Sequence, residues 1–276
     1  MKIDAHQHFW KYNPREFGWI NDSMSKLKRD HLPSELLRVL TAARFDGSIA
    51  VQARQNLKET SWLLQLAGEN QFIKGVVGWV NLCSENVEEQ LEGFVSNRKF
   101  VGVRHVLHDE PEDDFMLGKG FCSGIKSLAK FNLAYDLLVF PRHLIHTVAM
   151  VRQFPQQRFI LDHLAKPSIK DGILEPWSKE IKLLAAFPNV YCKVSGMVTE
   201  ADWQQWQPSD FKPYLDVVFE AFGTDRIMIG SDWPVCTIAG SYSEVINLVE
   251  NYISSFSEEE KNAIMGENAA RFYRLI

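Results

Sequence analysis

The sequence predicts a single (β/α)8 barrel domain over residues 1–276, and three observations support this fold class. The chain length matches the roughly 250 residues typical of the fold. Eight short apolar segments alternate with amphipathic ones, as in right-handed βαβ units that share a parallel sheet. Neither a Gly/Ser-rich linker nor a repeat of fixed period divides the chain. Eight such units indicate a sheet that closes on itself.

The predicted strands are short segments rich in apolar and β-branched residues. They lie at 3–8, 47–53, 75–80, 101–106, 133–140, 158–163, 190–195 and 226–232. Helices are predicted at 33–43, 57–70, 84–96, 121–131, 144–154 and 213–222. Long irregular stretches are predicted at 11–32, 109–119, 165–177 and 196–210. Long loops after strands are where a barrel of this kind builds its specificity.

Local signals mark several helix ends. Pro33 and Ser84 are typical of helix starts, and Gly223 is typical of a helix stop. Ser257 precedes three glutamates, an acidic first turn that favours the helix dipole. The last helical segment, 268–273, is predicted to close the underside of the barrel.

Composition limits the partners. The formal charge of −5 argues against binding to nucleic acid or to an anionic membrane, so a small-molecule substrate is expected. The four cysteines are scattered, which indicates neither a disulfide framework nor a structural zinc site. Without an export signal or a long apolar span, a cytoplasmic protein is expected. The sequence leaves the oligomeric state open, a homo-oligomer included.

The first strand carries two histidines at its end. Alternation along a strand predicts that Asp4, His6 and His8 share the inner face, while Ile3 and Ala5 share the outer face. Active-site groups of parallel barrels lie at the C-terminal ends of strands. The sequence therefore predicts two imidazoles at the mouth of the barrel.

Two later strands end in polar residues of the same kind. Alternation places His163 on the face of Phe159 and Leu161, and Asp232 on the face of Gly230. Taken singly, His163 is also explained as a polar residue after a strand, and Asp232 as the N-cap of the next helix. Taken together, three inward polar strand ends are hard to explain by packing.

Three neutral imidazoles and a carboxylate suit one divalent metal, zinc best of all, with room for a water molecule. The ligands would be His6, His8, His163 and Asp232. Without a metal, Asp232 alone is able to act as a general base on water.

The motifs resemble those of the amidohydrolase superfamily. They are Asp-x-His-x-His-Phe-Trp from Asp4, Gly-Val-Arg-His from Gly102, Asp-His-Leu-Ala-Lys-Pro from Asp162, Lys-Val-Ser-Gly from Lys193 and Gly-Ser-Asp-Trp-Pro from Gly230. In this order they are most similar to the sugar-lactonase branch, which includes L-fuconolactonase and L-rhamnono-lactonase and is related to 2-pyrone-4,6-dicarboxylate lactonase. The resemblance spans nearly the whole chain.

This resemblance implies a hydrolase that opens a small sugar-acid lactone. His6, His8, His163 and Asp232 would form the catalytic core, with Asp232 taking a proton from the attacking water. Two-metal members of the superfamily carry a lysine or glutamate on the fourth strand and a histidine on the fifth. This chain has Arg104 or His105 and then Asp136 there, so a two-metal centre is not expected. Metal-independent catalysis, with the histidines and Arg104 donating hydrogen bonds to the oxyanion, stays open beside a zinc mechanism.

Further residues near the strand ends are candidates for binding substrate. They are Trp10, Gln52, Trp79, Arg104, His108, Asp136, Lys193, Ser195 and Trp233. Tryptophans there are able to stack on a sugar ring, although packing is the better explanation for most of them. Strand alternation alone does not decide between Arg104 and His105 for the inner face, and the resemblance favours Arg104. Lys193 fits either a Schiff-base nucleophile or, more ordinarily, a paired lysine.

Two other functions compete with the lactonase. A zinc-dependent decarboxylase of the same superfamily would be expected to keep a histidine on the fifth strand. A barrel that binds a sugar acid without turning it over would show tight binding and no reaction.

Overall fold

Eight parallel strands, each paired with the next along the chain, form the centre of the computed structural model, which describes residues 1–275. The strands are β1 Ile3–Gln7, β2 Gly47–Val51, β3 Ile73–Gly78, β4 Phe100–Val106, β5 Ala134–Leu138, β6 Phe159–Leu161, β7 Val190–Val194 and β8 Ile227–Ile229. Just past β8, the Asp232 N–H donates to the His6 carbonyl at 2.8 Å, and the His8 N–H donates to the Trp233 carbonyl at 2.7 Å. These bonds join the last strand to the first, and the predicted (β/α)8 barrel is confirmed.

Ten helices surround the strands in the described part of the chain. They are α1 Pro33–Ala42, α2 Leu57–Glu69, α3 Val87–Val95, α4 Lys119–Lys130, α5 Leu144–Gln153, α6 Trp177–Ala185, α7 Pro208–Phe222, α8 Tyr242–Tyr252, α9 Glu258–Asn262 and α10 Asn268–Tyr273. The sequence does not single out α6 and α8. Between residues 1 and 275, no helix combines the length and the apolar character that crossing a membrane requires.

Helix boundaries follow the predicted signals with two shifts. Gly223 ends α7 with a φ of 67°, and Ser257 caps α9 in a reciprocal pair with Glu260. The helix predicted from residue 84 begins at Val87, and α7 begins at Pro208, five residues before its predicted start. Proline is favourable in a first turn, which explains the shorter prediction for α7.

The interior of the barrel has an apolar lower half. The side chains that fill it come from seven strands and from α10, and they include Ile3, Ala5, Ile49, Val51, Val77, Val101, Ala134, Ile160, Met228 and Phe272. The predicted closure of the underside by residues 268–273 is therefore confirmed. A second, larger cluster lies between the strands and the outer helices. Polar side chains occupy the upper half of the interior.

Candidate active site

Three imidazoles and one carboxylate meet at the upper end of the barrel. His6 Nε2 lies 3.2 Å from His8 Nε2, and Asp232 Oδ1 lies 3.3 Å from the same His8 atom. The ring centroids of His6 and His163 are 4.4 Å apart. All four side chains are almost completely buried. The structure therefore brings together the four residues that the sequence predicts as the core of the site.

A bulge in β1 explains how both histidines reach this point. Asp4 pairs with Ser48 and Gln7 pairs with Ala50, so β1 contains one residue more than β2 over this interval. The predicted alternation is wrong below the bulge. Ile3 and Ala5 face the interior, while Asp4 turns outward and accepts hydrogen bonds from both the N–H and the hydroxyl of Ser231.

The sequence predicts His163 at the site but places it on the wrong face of β6. Phe159 and Leu161 pack outward against the helices, and Ile160 and Asp162 point inward. His163 reaches the site because residues 163–166 all adopt positive φ between 52° and 59°. Non-glycine residues rarely take this left-handed conformation in succession.

The environment fixes the His163 ring from both sides. Its Nδ1 lies 2.9 Å from the hydroxyl oxygen of Ser195, so Ser195 orients the imidazole. A Cβ at Gly196, which has a φ of 61°, would lie 2.5 Å from the same nitrogen. Only glycine fits this close approach.

The prediction for β8 is correct. Met228 packs in the interior, and a Cβ at Gly230 would lie 2.6 Å from the His6 Cβ, so the inner face continues to Asp232. Asp232 has a φ of 58°, a conformation that aspartate tolerates better than most residues. Its predicted alternative role, capping the next helix, is not observed, because the cap of α8 is Ser241.

Beneath the histidines lies a layer of paired charges. Lys193 Nζ lies 3.0 Å from Asp162 Oδ1 and also donates to Asp136, which accepts a 2.9 Å hydrogen bond from the Tyr273 hydroxyl. Arg104 Nη1 donates to Asp162 Oδ2 at 3.0 Å. Asp162, which carries this network, was missed by strand alternation on β6. Its position directly before His163 in the Asp-His motif was the only signal that pointed to it.

These contacts decide between the roles that the sequence leaves open for Arg104, His105 and Lys193. Arg104 faces the interior and its Nη2 donates to the carbonyl and the side-chain oxygen of Gln52, while His105 turns outward to Glu110. Lys193 is completely buried between two carboxylates, so the structure favours the paired lysine over the Schiff base.

The ring nitrogens of His6 and His8 have defined neighbours. His8 Nδ1 lies 2.8 Å from the Val51 carbonyl oxygen and donates to it. His6 Nε2 lies 3.2 Å from Arg104 Nη1, while His6 Nδ1 lies 3.2 Å from Lys193 Nζ and 3.3 Å from Asp162 Oδ1. His6 Nε2, His8 Nε2 and a carboxylate oxygen of Asp232 thus converge at the spacing of metal ligands.

The charge states suit this arrangement. Burial lowers the pKa of His6 and that of His163 well below the usual range, so both rings are neutral. Burial alone would raise the pKa of Asp232, but the contacts with His163 and His8 outweigh it and hold that pKa below its ordinary value. The carboxylate is therefore ionised beside neutral imidazoles, as a metal ligand or a general base requires.

A cavity of about 310 Å³ opens above these groups. Of the predicted residues, His8, Arg104, His108, His163 and Asp232 line it. Burial lowers the pKa of His108 to about 4, so this ring is neutral at pH 7. His6, Gln52, Asp136, Lys193 and Ser195 are not in the lining and instead support those that are.

The cavity lining does not include the three tryptophan candidates that follow strands, Trp10, Trp79 and Trp233. Trp10 donates from its indole to the carbonyl of Arg29 in the core of the N-terminal loop, Trp79 bonds His105, and Trp233 packs on Phe9. Two other tryptophans, Trp19 and Trp203, line the cavity. They lie deep in the long loops 11–32 and 196–210, where no strand pattern marks them.

Two overlapping groups in the described residues have the spacing of metal ligands. One is His6, His8 and Asp232, and the other is His6, Asp162 and His163. In each group the candidate ligand atoms lie within 4.8 Å of one another. Since Asp162 is already paired with Lys193 and Arg104, the donor set open to a cation is the three histidines with Asp232.

A parallel (β/α)8 barrel with histidines and an aspartate at its C-terminal mouth fits a class of barrel hydrolases, and comparisons with known proteins narrow this class. The amidohydrolase family model matches residues 3–275, and the chain belongs to this family. The L-fucono-1,5-lactonase of Burkholderia multivorans is 40% identical over 286 aligned residues, which cover 100% of this chain and 96% of the relative.

Two further relatives are informative. The L-fucono-1,5-lactonase of Burkholderia ambifaria is 34% identical, with 100% of this chain and 96% of the relative covered. The crystal structure of an amidohydrolase from Burkholderia multivorans with bound zinc is 40% identical and superposes with a TM-score of 0.96, with 100% of both chains covered.

Proposed function

We propose that this protein hydrolyses a small sugar-acid lactone of the L-fucono-1,5-lactone type. The observation that carries the proposal is the ionised Asp232 beside His8 and a neutral His163, on the wall of a cavity large enough for one sugar ring. The two lactonases, related over the full length of the chain, support the substrate class.

Asp232 is the proposed general base. Its carboxylate takes a proton from water as the water oxygen bonds to the ring carbonyl carbon. When the tetrahedral intermediate collapses, the ring C–O bond breaks and the same proton passes to the leaving alkoxide. The products are an open hydroxy acid and the regenerated carboxylate, so atoms and charge balance. An alkoxide leaves more readily than an amine, so opening a lactone requires less catalytic assistance than hydrolysing an amide.

One divalent cation, zinc best of all, fits His6, His8, His163 and Asp232, because imidazole nitrogens and a carboxylate oxygen converge there at the spacing of metal ligands. When bound, such an ion supplies a Lewis acid for the carbonyl and lowers the pKa of water. The chain positions the donor atoms through the Val51 carbonyl, which fixes His8, and through Asp162 and Arg104, which fix His6.

The competing functions fit the structure less well. A decarboxylase is expected to carry a histidine on the fifth strand. This chain has Asp136 there, and its carboxylate accepts hydrogen bonds from Lys193 and Tyr273. A barrel that only binds has no need of a desolvated, ionised carboxylate beside three imidazoles.

The activity is tested by following acid release from L-fucono-1,5-lactone and a panel of aldono-1,4- and 1,5-lactones. We expect turnover of at least one 1,5-lactone, and no acceleration of any lactone would contradict the proposal.

The metal is tested separately by metal analysis and by dialysis against a chelator. We expect about one zinc per chain, loss of activity on its removal and recovery on adding zinc back. Full activity in protein shown to be free of metal would contradict the metal role and leave the metal-independent mechanism.

A further inference from the structure

A second charged pair lies on the cavity wall, and the proposed reaction does not use it. Lys166 Nζ donates to Glu200 Oε1, and both residues line the cavity. Their side chains are 18% and 19% exposed, so the pair is partly open to whatever occupies the cavity. The pair joins the segment after β6 to the segment after β7.

Hydrogen-bonding capacity remains on both partners. Glu200 Oε1 accepts from Lys166 and, at 3.3 Å, from the Thr199 hydroxyl, whereas Oε2 has no protein donor within residues 1–275. The Lys166 ammonium has three N–H groups and uses one for Glu200. An acceptor and spare donors thus stand side by side. A hydroxyl group both donates and accepts, so hydroxyls match this surface better than a carboxylate or an apolar group would.

An aromatic face stands next to the pair. Trp203 lines the same cavity, and its indole N–H donates to the Thr199 carbonyl at 2.9 Å, which fixes the ring. The flat face of an indole packs well on the C–H face of a sugar ring. Trp19, Met24, Val235 and Ile238 are apolar members of the lining, and Arg104, His108 and Asp109 are polar members outside the pair. The pair and the indole thus offer hydrogen-bonding groups and a flat apolar face in the same cavity.

The backbone ties this wall to the reaction centre. The Lys166 N–H donates to the His163 carbonyl at 2.6 Å, and both residues belong to the left-handed segment 163–166. Lys166 is thus held three residues from an imidazole that the reaction uses. Lys166, Glu200 and Asp232 line one cavity, so a lactone whose carbonyl carbon faces Asp232 shares that cavity with the pair.

We infer that Lys166, Glu200 and Trp203 form a sugar-recognition wall, in which the ion pair binds ring hydroxyls and the indole stacks on the ring. This inference rests on the proposed lactonase function and names the part of the substrate that the site recognises. The wall selects polyhydroxylated lactones over lactones that lack hydroxyls, because its charged partners lose hydrogen bonds when a hydroxyl is missing.

The experiment compares two substrates in three variants. Glu200→Gln keeps an acceptor for Lys166 but removes the charge, and Lys166→Met removes the donors. Glu220→Gln is the matched control, because Glu220 forms an exposed ion pair with Lys182 between α6 and α7. The substrates are L-fucono-1,5-lactone and tetrahydropyran-2-one, which has the same ring without hydroxyls, and kcat and KM are measured for each.

We expect each wall variant to lower kcat/KM for the hydroxylated lactone at least tenfold more than for the plain ring, mainly through KM, since hydrogen bonds to charged groups contribute about 1.5–3 kcal/mol. The control variant should leave kcat/KM unchanged for both substrates. Equal losses on both substrates would show that the pair only holds two loops together, and unchanged kinetics would show that it does not contact substrate. Either result overturns the inference.

A second measurement separates this inference from the proposed function. Calorimetry compares binding of L-fuconate and 5-hydroxypentanoate, the two open-ring acids, and needs no turnover. If the wall variants weaken L-fuconate binding selectively, the wall is supported even in a protein that opens neither lactone. Equal weakening of both acids, or of neither, overturns it.

Discussion

Two layers of buried charge lie one above the other in this barrel, and they differ in how their hydrogen bonds are used. In the upper layer, His8, His163 and Asp232 line the cavity and are open to a molecule bound there. In the lower layer, Lys193 and Asp136 are fully buried and satisfy each other. The difference shows that a polar strand end can serve either chemistry or support, and that partners rather than burial distinguish the two.

The largest expected effect is on the upper layer. Asp232→Asn should lower kcat on the order of 10³-fold, because a general base and a ligand are lost together. Asparagine also tolerates the positive φ at this position, so we expect the unfolding midpoint to shift little. Lactone kinetics and thermal unfolding check both parts. The exposed Asp225→Asn is the control, and full activity in Asp232→Asn would remove the assigned base.

In the lower layer, the main expected effect of a substitution is a loss of stability. Lys193→Met leaves Asp136 and Asp162 without their shared cation, and breaking a buried pair from one side costs about 3–5 kcal/mol of unfolding free energy. Adding Asp136→Asn removes one unpaired charge, so the double variant should be more stable than Lys193→Met alone by more than about 1 kcal/mol. Denaturant unfolding measures both. Additive losses would show that the two side chains are not coupled.

Asp162 joins the two layers, so its replacement should affect activity as well as stability. Asp162→Asn weakens the contact that orients His6 Nδ1, and replacing such a supporting partner typically lowers activity or metal affinity by about 10- to 100-fold. We expect zinc titration to show weaker binding with a folded protein. Unchanged zinc affinity and kcat would show that His6 does not depend on Asp162.

The smallest expected effect is on the pH dependence of stability, and it concerns a buried carboxylate outside both layers. Burial raises the pKa of Glu59 to about 7, although it accepts hydrogen bonds from the N–H groups of Ala53 and Arg54. A raised folded-state pKa means that the native protein binds more protons than the unfolded chain between pH 4.5 and about 7. Its contribution to stability therefore falls as pH rises through this window. Glu59→Gln should make that slope shallower in denaturant unfolding, and an unchanged slope would contradict the assignment.

The sequence was a good guide where the backbone is regular. Eight strands in order, the inward course of β8 and the closure by residues 268–273 all follow from apolar periodicity and local helix signals. Alternation fails at the bulge in β1 and at the left-handed segment after β6. The sequence still points to His6, His8 and His163, because a motif is defined by residue types and does not depend on the local direction of the backbone.

Substrate-facing residues were harder to predict. Trp19, Trp203, Lys166 and Glu200 belong to long loops, and their positions depend on contacts with segments far away in the chain. No periodic pattern records such contacts. Trp10, Trp79 and Trp233 follow strands closely, and packing against neighbouring loops turns them away from the cavity.

By itself the sequence determined the order of strands and helices, the family and the identity of the three histidines and the aspartate. Those features depend on residue type and on short-range periodicity, which the chain carries locally. Only the tertiary structure decided that Asp162 and Lys193 lie beneath the site and that Lys166 and Glu200 meet on its wall. Such pairings depend on where a bulge and a left-handed turn send the backbone, and on residues brought together from distant parts of the chain.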